Sequence, residues 1–202
     1  MSDGPPDDPT MRATYRALCT HGYADLTMQD IADETDKSKA ALHYHYDSKH
    51  DLLCTFLDYL YERFVDRTSD VDGDDPPERL LALVDSVLDK PDDESDRERE
   101  GFETAVLEIR AQAPYEPGFR DRLTQFDEYL AGEFESILAA GIDDGSFDPE
   151  MDPEDTARFL VTVLTGAATE RVTAGRPVEC TRRMLREYVG THILAEQREV
   201  EA

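Results

Sequence analysis

Apolar residues recur along this chain at three- and four-residue spacing from Ala13 onward, and no segment sustains the strict alternation of a half-buried strand. The pattern predicts an all-α protein of about nine helices. The clearest punctuation lies between Thr27 and Leu53. Thr27 is a natural N-cap with Asp30 three residues on, and Met28, Ile31 and Ala32 mark one apolar face of a short helix. Glu34, Thr35, Asp36 and Lys37 break that periodicity, and Asp36 is a residue type suited to a left-handed turn. Ser38 then caps a second short helix. It carries the small or apolar Ala40, Ala41 and Leu42, with Lys37, Lys39, His43, Tyr44 and His45 around them. Ser48 caps a third, longer helix running to about Thr68. Its first turn holds Lys49, whose charge opposes the helix dipole, so an anion is expected nearby.

Beyond Thr68 a Gly73, Pro76, Pro77 break leads to a helix over 77–88 with a stripe of Leu80, Leu81, Leu83, Val84, Val87 and Leu88. The polar run from Lys90 to Glu100 reads as a loop or a solvated helix start. Helices follow over 102–113 and 117–140. Asp152 and Pro153, a cap followed by proline at the first helical position, open another to about Ala174, and 179–198 gives the last. These final two carry broad apolar faces, Phe159, Leu160, Val163, Leu164, Ala167 and Ala168 beside Gly166 on one, and Met184, Leu185, Tyr188, Val189, His192 and Ile193 on the other.

Composition alters this picture in two ways. The chain of 202 residues carries 47 acids and a formal net charge of −26, which opposes binding to any polyanion, because lysine and arginine supply most nonspecific affinity for phosphate. Yet three of its four lysines, Lys37, Lys39 and Lys49, fall in the segment with the short helices, where the only acid between Lys37 and His50 is Asp47. That segment is locally basic on an acidic body. The composition resembles that of proteins from extreme halophiles, in which salt shortens the Debye length and removes self-repulsion. Disorder, the competing reading of high charge, is confined to residues 1–9 and the last few residues.

The remaining chemistry is sparse. Cys19, Cys54 and Cys180 are far apart and odd in number, so they suggest neither a disulfide framework nor a metal-binding pair, and buried or inert thiols in a reducing cytoplasm are expected. His43, His45 and His50 cluster in sequence, but residues two apart on a helix point in different directions, so no metal site is assigned. No nucleotide-binding, nucleophile-elbow or zinc-protease motif occurs, so neither an enzyme nor a cofactor is indicated. No stretch is long enough to span a membrane, and the acidic N-terminus is unlike a signal peptide, which places the protein in the cytoplasm with no membrane partner.

HGYADLTMQDIA and SKAALHYHYDSKHDLL together resemble the N-terminal DNA-binding domain of the TetR/AcrR family of transcriptional regulators, without gaps from Met11 to Leu53. The matching positions include Gly22, Ala32, Ser38 to Leu42, His45, the aromatic Tyr46 and Lys49. The chain departs at Asp36, Lys37 and His43, where the family has glycine, an aliphatic residue and tyrosine. His43 would replace a phosphate contact by a shorter, pH-dependent one.

The resemblance implies a disordered tail over 1–9, a TetR-like helix-turn-helix DNA-binding domain over 10–53 and a helical effector-binding and dimerisation domain over 54–202. It implies a ligand-responsive repressor that reads a palindromic double-stranded operator as a homodimer. Lys39 and Tyr44 would face the groove, with Ser38 and Ala40 on the same helix, while Thr27, Lys37, His43 and Lys49 would contact phosphate. Phe159, Val163, Gly166, Ala167, Met184, Tyr188 and His192 would pair with their symmetry mates, the alternative being that they close the monomer core. The effector, a small molecule of unidentified chemistry, would lie among Tyr61, Phe64, Phe102, Tyr115, Phe126 and Tyr129. A different class of function also fits the charge: an interaction or sensor module that keeps the fold and binds a basic protein.

Overall fold

The computed structural model of the chain describes residues 8–69, 71–89 and 96–195. Among these, every named element is helical: α1 (Pro9–Asp25), α2 (Met28–Asp33), α3 (Lys39–His45), α4 (Lys49–Thr68), α5 (Pro76–Leu88), α6 (Asp96–Gln112), α7 (Pro117–Asp144), α8 (Pro153–Ala174) and α9 (Glu179–Tyr188), the last running into a π turn at Val189–Ile193. The starts are set by local chemistry. Asp8, Asp75 and Asp152 each cap a helix whose first turn begins with proline, and Thr27 and Ser38 cap the two short helices through their hydroxyls.

Four sequence-based expectations change. Asp8 caps α1, Pro9 opens it and Thr10 is buried, so order begins before Thr10; residues 1–7 lie outside the described residues. Asp36 does not adopt the left-handed conformation: among the described residues only glycines have positive φ, and the turn closes instead with the Lys37 N–H donating to the Thr35 hydroxyl at 2.6 Å. Helix α6 starts at Asp96 rather than Phe102, so the second half of the polar run is a helix start; 90–95 lie outside the described residues. The final helix stops at Tyr188. Its π turn leads into a return of the chain onto the loop after α7, where Asp148 N–H meets the Ile193 carbonyl and Ala195 N–H meets the Ser146 carbonyl, both at 2.9 Å. Residues 196–198, also placed in that helix, lie outside the described residues.

The described residues form two compact units. The first takes the described residues through Asp66 together with those from α6 to Phe126. Its core joins Met11, Ala13, Ala17 and Leu18 of α1, Ile31, Leu42, Leu52, Leu53, Phe56 and Leu57 to Ala105 and Ile109 of α6 and Phe119 of α7. Helix α6 belongs here because it lies against α1 closely enough that a Cβ on Gly101 would fall 2.4 Å from the Cys19 carbonyl oxygen. The second unit takes Arg67 to Asp89 and Asp127 onward. There α5 and α9 are joined by ion pairs from Arg182 to Asp85 and Asp89 and from Arg186 to Asp85. Leu80, Leu83 and Leu88 of α5, Leu160 and Leu164 of α8, and Leu185 of α9 are all buried.

Candidate nucleic-acid interface

Helix α3 is anchored by Leu42, with Ala41 half-buried beside it, and shows its other residues to solvent. Leu42 is fully buried, in the same core as Met28, Ile31 and Ala32 of α2, while Ser38, Lys39, Ala40, His43 and Tyr44 are exposed. Tyr44 is 85% exposed, with its ring 5.2 Å from that of His45 in an edge-on arrangement. Burial on folding does not account for an aromatic in that position, since its apolar area stays in water. The Ser38 hydroxyl accepts the Ala41 N–H at 3.1 Å, fixing the start of the helix. Small residues beside long polar ones on a projecting helix suit entry into a groove about 12 Å wide.

The residues expected on phosphate divide. Thr27 is already saturated: its hydroxyl donates to Asp30 at 2.6 Å and accepts the Asp30 N–H at 3.3 Å, while its own N–H goes to the same carboxylate at 2.7 Å. These bonds hold the Asp30 carboxyl below its ordinary value and leave Thr27 no proton to give a phosphate. Both donors of Thr27 are thus engaged by Asp30. Lys37 lies in the turn and donates to the Thr10 hydroxyl at 2.7 Å, tying the turn to the start of α1.

Lys49 is likewise engaged within the protein. Its ammonium turns inward, donating to the Tyr23 carbonyl at 2.9 Å and lying 4.7 Å from the Tyr23 ring centroid. Burial pushes that ammonium below the usual lysine value, and Asp25 and Glu108 pull it back. The anions the helix start called for are thus side chains of the protein. Glu108 itself accepts the Tyr23 N–H at 2.6 Å. Sequence reading missed it, because it stands 85 residues from its partner and nothing local marks it.

The residues assigned to an effector separate as well. Tyr115 is 80% exposed in the α6–α7 turn, where its backbone N–H reaches the Gln112 carbonyl. Phe102 packs on Tyr15 and Phe56, at 4.7 and 6.3 Å between ring centroids, and belongs to the α1–α4–α6 core. Tyr61 and Phe64 both meet Phe126, at 5.3 and 5.6 Å, and the Tyr129 hydroxyl accepts from Thr68. An open groove of about 510 Å³ on the first unit is lined by Pro9, Arg12, Arg16 and the Asp33–Lys37 turn. Its lining is charged, unlike the mostly apolar wall of a small-molecule site.

On the second unit, one face of α8 and α9 stays bare. Phe159 is 45% and Met184 52% exposed, and Phe159, Tyr188 and His192 form a ladder of rings 5.2 Å apart. Val163 and Ala167 are half-buried, and nothing lies within 4 Å of where a Gly166 Cβ would stand. Phe159, Gly166, Met184 and His192 therefore do not serve the monomer core. Of the thiols, Cys54 is buried, Cys19 intermediate and Cys180 exposed. Among the described residues no three metal-ligating side chains converge, and no helix is long and apolar enough to cross a membrane.

Comparison with known proteins matches residues 11–54 to the bacterial regulatory proteins of the tetR family and 76–194 to the C-terminal region of BetI-type transcriptional repressors. The chain is 25% identical over 184 residues to the HTH-type transcriptional repressor AcnR of Corynebacterium glutamicum, covering 84% of this chain and 91% of that one. Among solved structures, a TetR transcription regulator from Haloarcula marismortui is 46% identical with a TM-score of 0.83, covering 92% of this chain and 96% of that one. A transcriptional regulator from Saccharomonospora viridis in complex with choline shares the fold, at 23% identity and a TM-score of 0.75, over 92% and 96% of the two chains.

Proposed function

The chain belongs to the TetR family of transcriptional regulators and is a DNA-binding regulator rather than an enzyme; from that premise we propose that it represses transcription as a homodimer, placing one α3 in each of two successive major grooves of a palindromic operator. The observation that carries this reading is the bare outer face of α3, with Lys39, Ala40, His43 and Tyr44 all in solvent while Leu42 is buried and Ala41 half-buried on the inner side. Lys39 and Tyr44 read base edges, and Ser38, His43 and Lys37 contact the backbone.

The dimer forms through the α8–α9 face, where Phe159, Val163, Gly166, Ala167, Met184, Tyr188 and His192 meet their counterparts. A two-fold axis there gives each subunit the same patch, and a palindrome needs that symmetry. A small-molecule effector releases the operator by favouring a different spacing of the reading helices. Tyr61 and Phe64, which both meet Phe126, remain with it the assigned lining. The protein works in the cytoplasm at high salt, which screens its acidic body. A gel shift in molar potassium chloride, using the region upstream of its own gene against a scrambled duplex, tests the proposal. Equal binding to both duplexes, or none, refutes it.

A further inference from the structure

Two side chains of opposite charge grip the peptide groups on either side of Tyr23. Glu108, on α6, accepts its N–H at 2.6 Å, and Lys49, in the first turn of α4, donates to its carbonyl at 2.9 Å. Tyr23 follows Gly22, whose φ of 68° and ψ of 175° break the line of α1. A Cβ on Gly22 would stand 3.1 Å from the Glu108 Oε2, so the missing side chain is what admits the carboxylate to the backbone. Asp25 is the other acid beside Lys49, and Glu116 is the charged group that acts on Tyr23. Four residues beyond the break, Leu26 is buried in the core, and Thr27 caps α2.

We infer that Glu108 is a positioning residue for DNA binding: with Lys49 it clamps the backbone at Gly22–Tyr23 and so sets how α1 delivers the chain into the α2–α3 reading unit. The inference rests on the proposed function, since it assumes that α2 and α3 read DNA. A backbone bend held from one side only would keep rotational freedom about the bonds flanking Tyr23. Held from both sides by charge-assisted hydrogen bonds, it has one arrangement. The same clamp gives Lys49 a role that needs no phosphate, and the two roles predict different behaviour.

Their signs differ most clearly at Glu108. Replacing it by glutamine removes one negative charge from a chain of net charge −26, which by Coulomb attraction alone would tighten DNA binding. The clamp requires the opposite, because a neutral amide is the weaker acceptor and leaves Lys49 without one of its counter-charges.

The experiment measures anisotropy of two labelled duplexes, the upstream region of the protein's own gene and a scrambled version, across a potassium chloride series. The proteins are wild type, E108Q, K49M, the double variant and K49R, with helicity checked by circular dichroism. E108Q and K49M are each expected to weaken binding about tenfold, the size of one charge-assisted hydrogen bond. The double variant should lose little more than the worse single, because the pair acts as a unit. The slope of log affinity against log salt should stay that of wild type, and K49R, which can still donate to the carbonyl, should recover part of the loss. Hydrogen exchange at the Tyr23 amide should rise in E108Q without DNA.

E108Q binding as well as or better than wild type overturns the inference. So does a K49M slope lowered by about one per subunit, which marks a phosphate contact. If E108Q fails to fold, K49M and its slope decide alone. Wild type binding neither duplex sinks the proposed function, whereas unchanged Tyr23 exchange in E108Q sinks the clamp with that function intact.

Discussion

Gly101→Ala perturbs a close backbone approach between α6 and α1. The added methyl would lie 2.4 Å from the Cys19 carbonyl oxygen and 3.1 Å from both the Cys19 Cα and carbonyl carbon, all of them backbone atoms of α1. No rotamer change relieves that overlap, so α6 and α1 must separate by about 1 Å to reach ordinary van der Waals contact. Two effects then compete. Alanine in a helix interior is worth up to about 1 kcal/mol over glycine, whereas overpacking a well-filled contact costs about 1 to 3 kcal/mol. Because the obstacle is backbone, the upper part of that range applies, and a net loss of about 1 to 2 kcal/mol is expected, lowering the melting temperature by about 2 to 8 °C. Gly132, exposed on α7 with nothing within 4 Å of its Cβ position, supplies the control. Gly132→Ala should keep the whole propensity gain and melt higher than wild type. Thermal and urea unfolding of both variants in molar potassium chloride makes the measurement. Stabilisation of Gly101→Ala to the same extent as Gly132→Ala would refute the close α1–α6 approach, and with it the grouping of α6 with the reading unit.

Lys39→Ala should lose more affinity for the upstream duplex than for a scrambled one, by about 1 to 3 kcal/mol, since a base-edge contact discriminates and a phosphate contact does not; equal losses in anisotropy titrations would make it a backbone contact. Gly166→Glu places a carboxylate where α8 of a second subunit should approach, at a penalty of several kcal/mol if buried unpaired, so sedimentation should show helical monomers, and a persistent dimer would place the interface elsewhere. Dialysis from about 2 M to about 0.1 M salt should dissociate the dimer through repulsion between acidic surfaces; a dimer unchanged at the lower value removes salt screening as the reason for the charge. The Asp30 carboxyl is held below its ordinary 3.8 by the Thr27 hydroxyl and N–H, so its stabilising bonds are complete above that value and are lost as pH falls through the lower folded one. Asp30→Asn should therefore flatten the fall in melting temperature below about pH 4, and an acid limb identical to wild type would show that these bonds do not form in solution.

The elements legible in the chain were those whose signals are local. A capping hydroxyl or carboxylate acts within three residues, and proline at the first helical position acts within one, so the starts of α2, α3, α4 and α8 fall where Thr27, Ser38, Ser48, and Asp152 with Pro153 put them, whereas Pro76, read as part of a break, opens α5 behind an Asp75 cap. On α3 the sequence grouped Ala40, Ala41 and Leu42 as the apolar set, and of these Leu42 is buried, Ala41 half-buried and Ala40 exposed. Ends were less legible. The charged start of α6 has no apolar stripe to announce it, and the last helix stops at Tyr188 because the chain beyond it pairs with Ser146 and Asp148, far away in sequence.

The sequence by itself therefore determined the helical class, the order of the helices, the helix-turn-helix and the face of α3 that it turns outward, because each follows from interactions among residues a few positions apart. Tertiary structure decided what charged and aromatic side chains do once distant segments meet. Lys49 looked like a cation awaiting phosphate until Tyr23, Asp25 and Glu108 closed around it. Phe102 looked like a pocket wall until α1 and α4 brought Tyr15 and Phe56 against it, while Tyr115 was left in the open by the turn before α7. Residue type and spacing are the same in either role. What separates them is which partner excludes water from the side chain, and that depends on contacts across tens of residues.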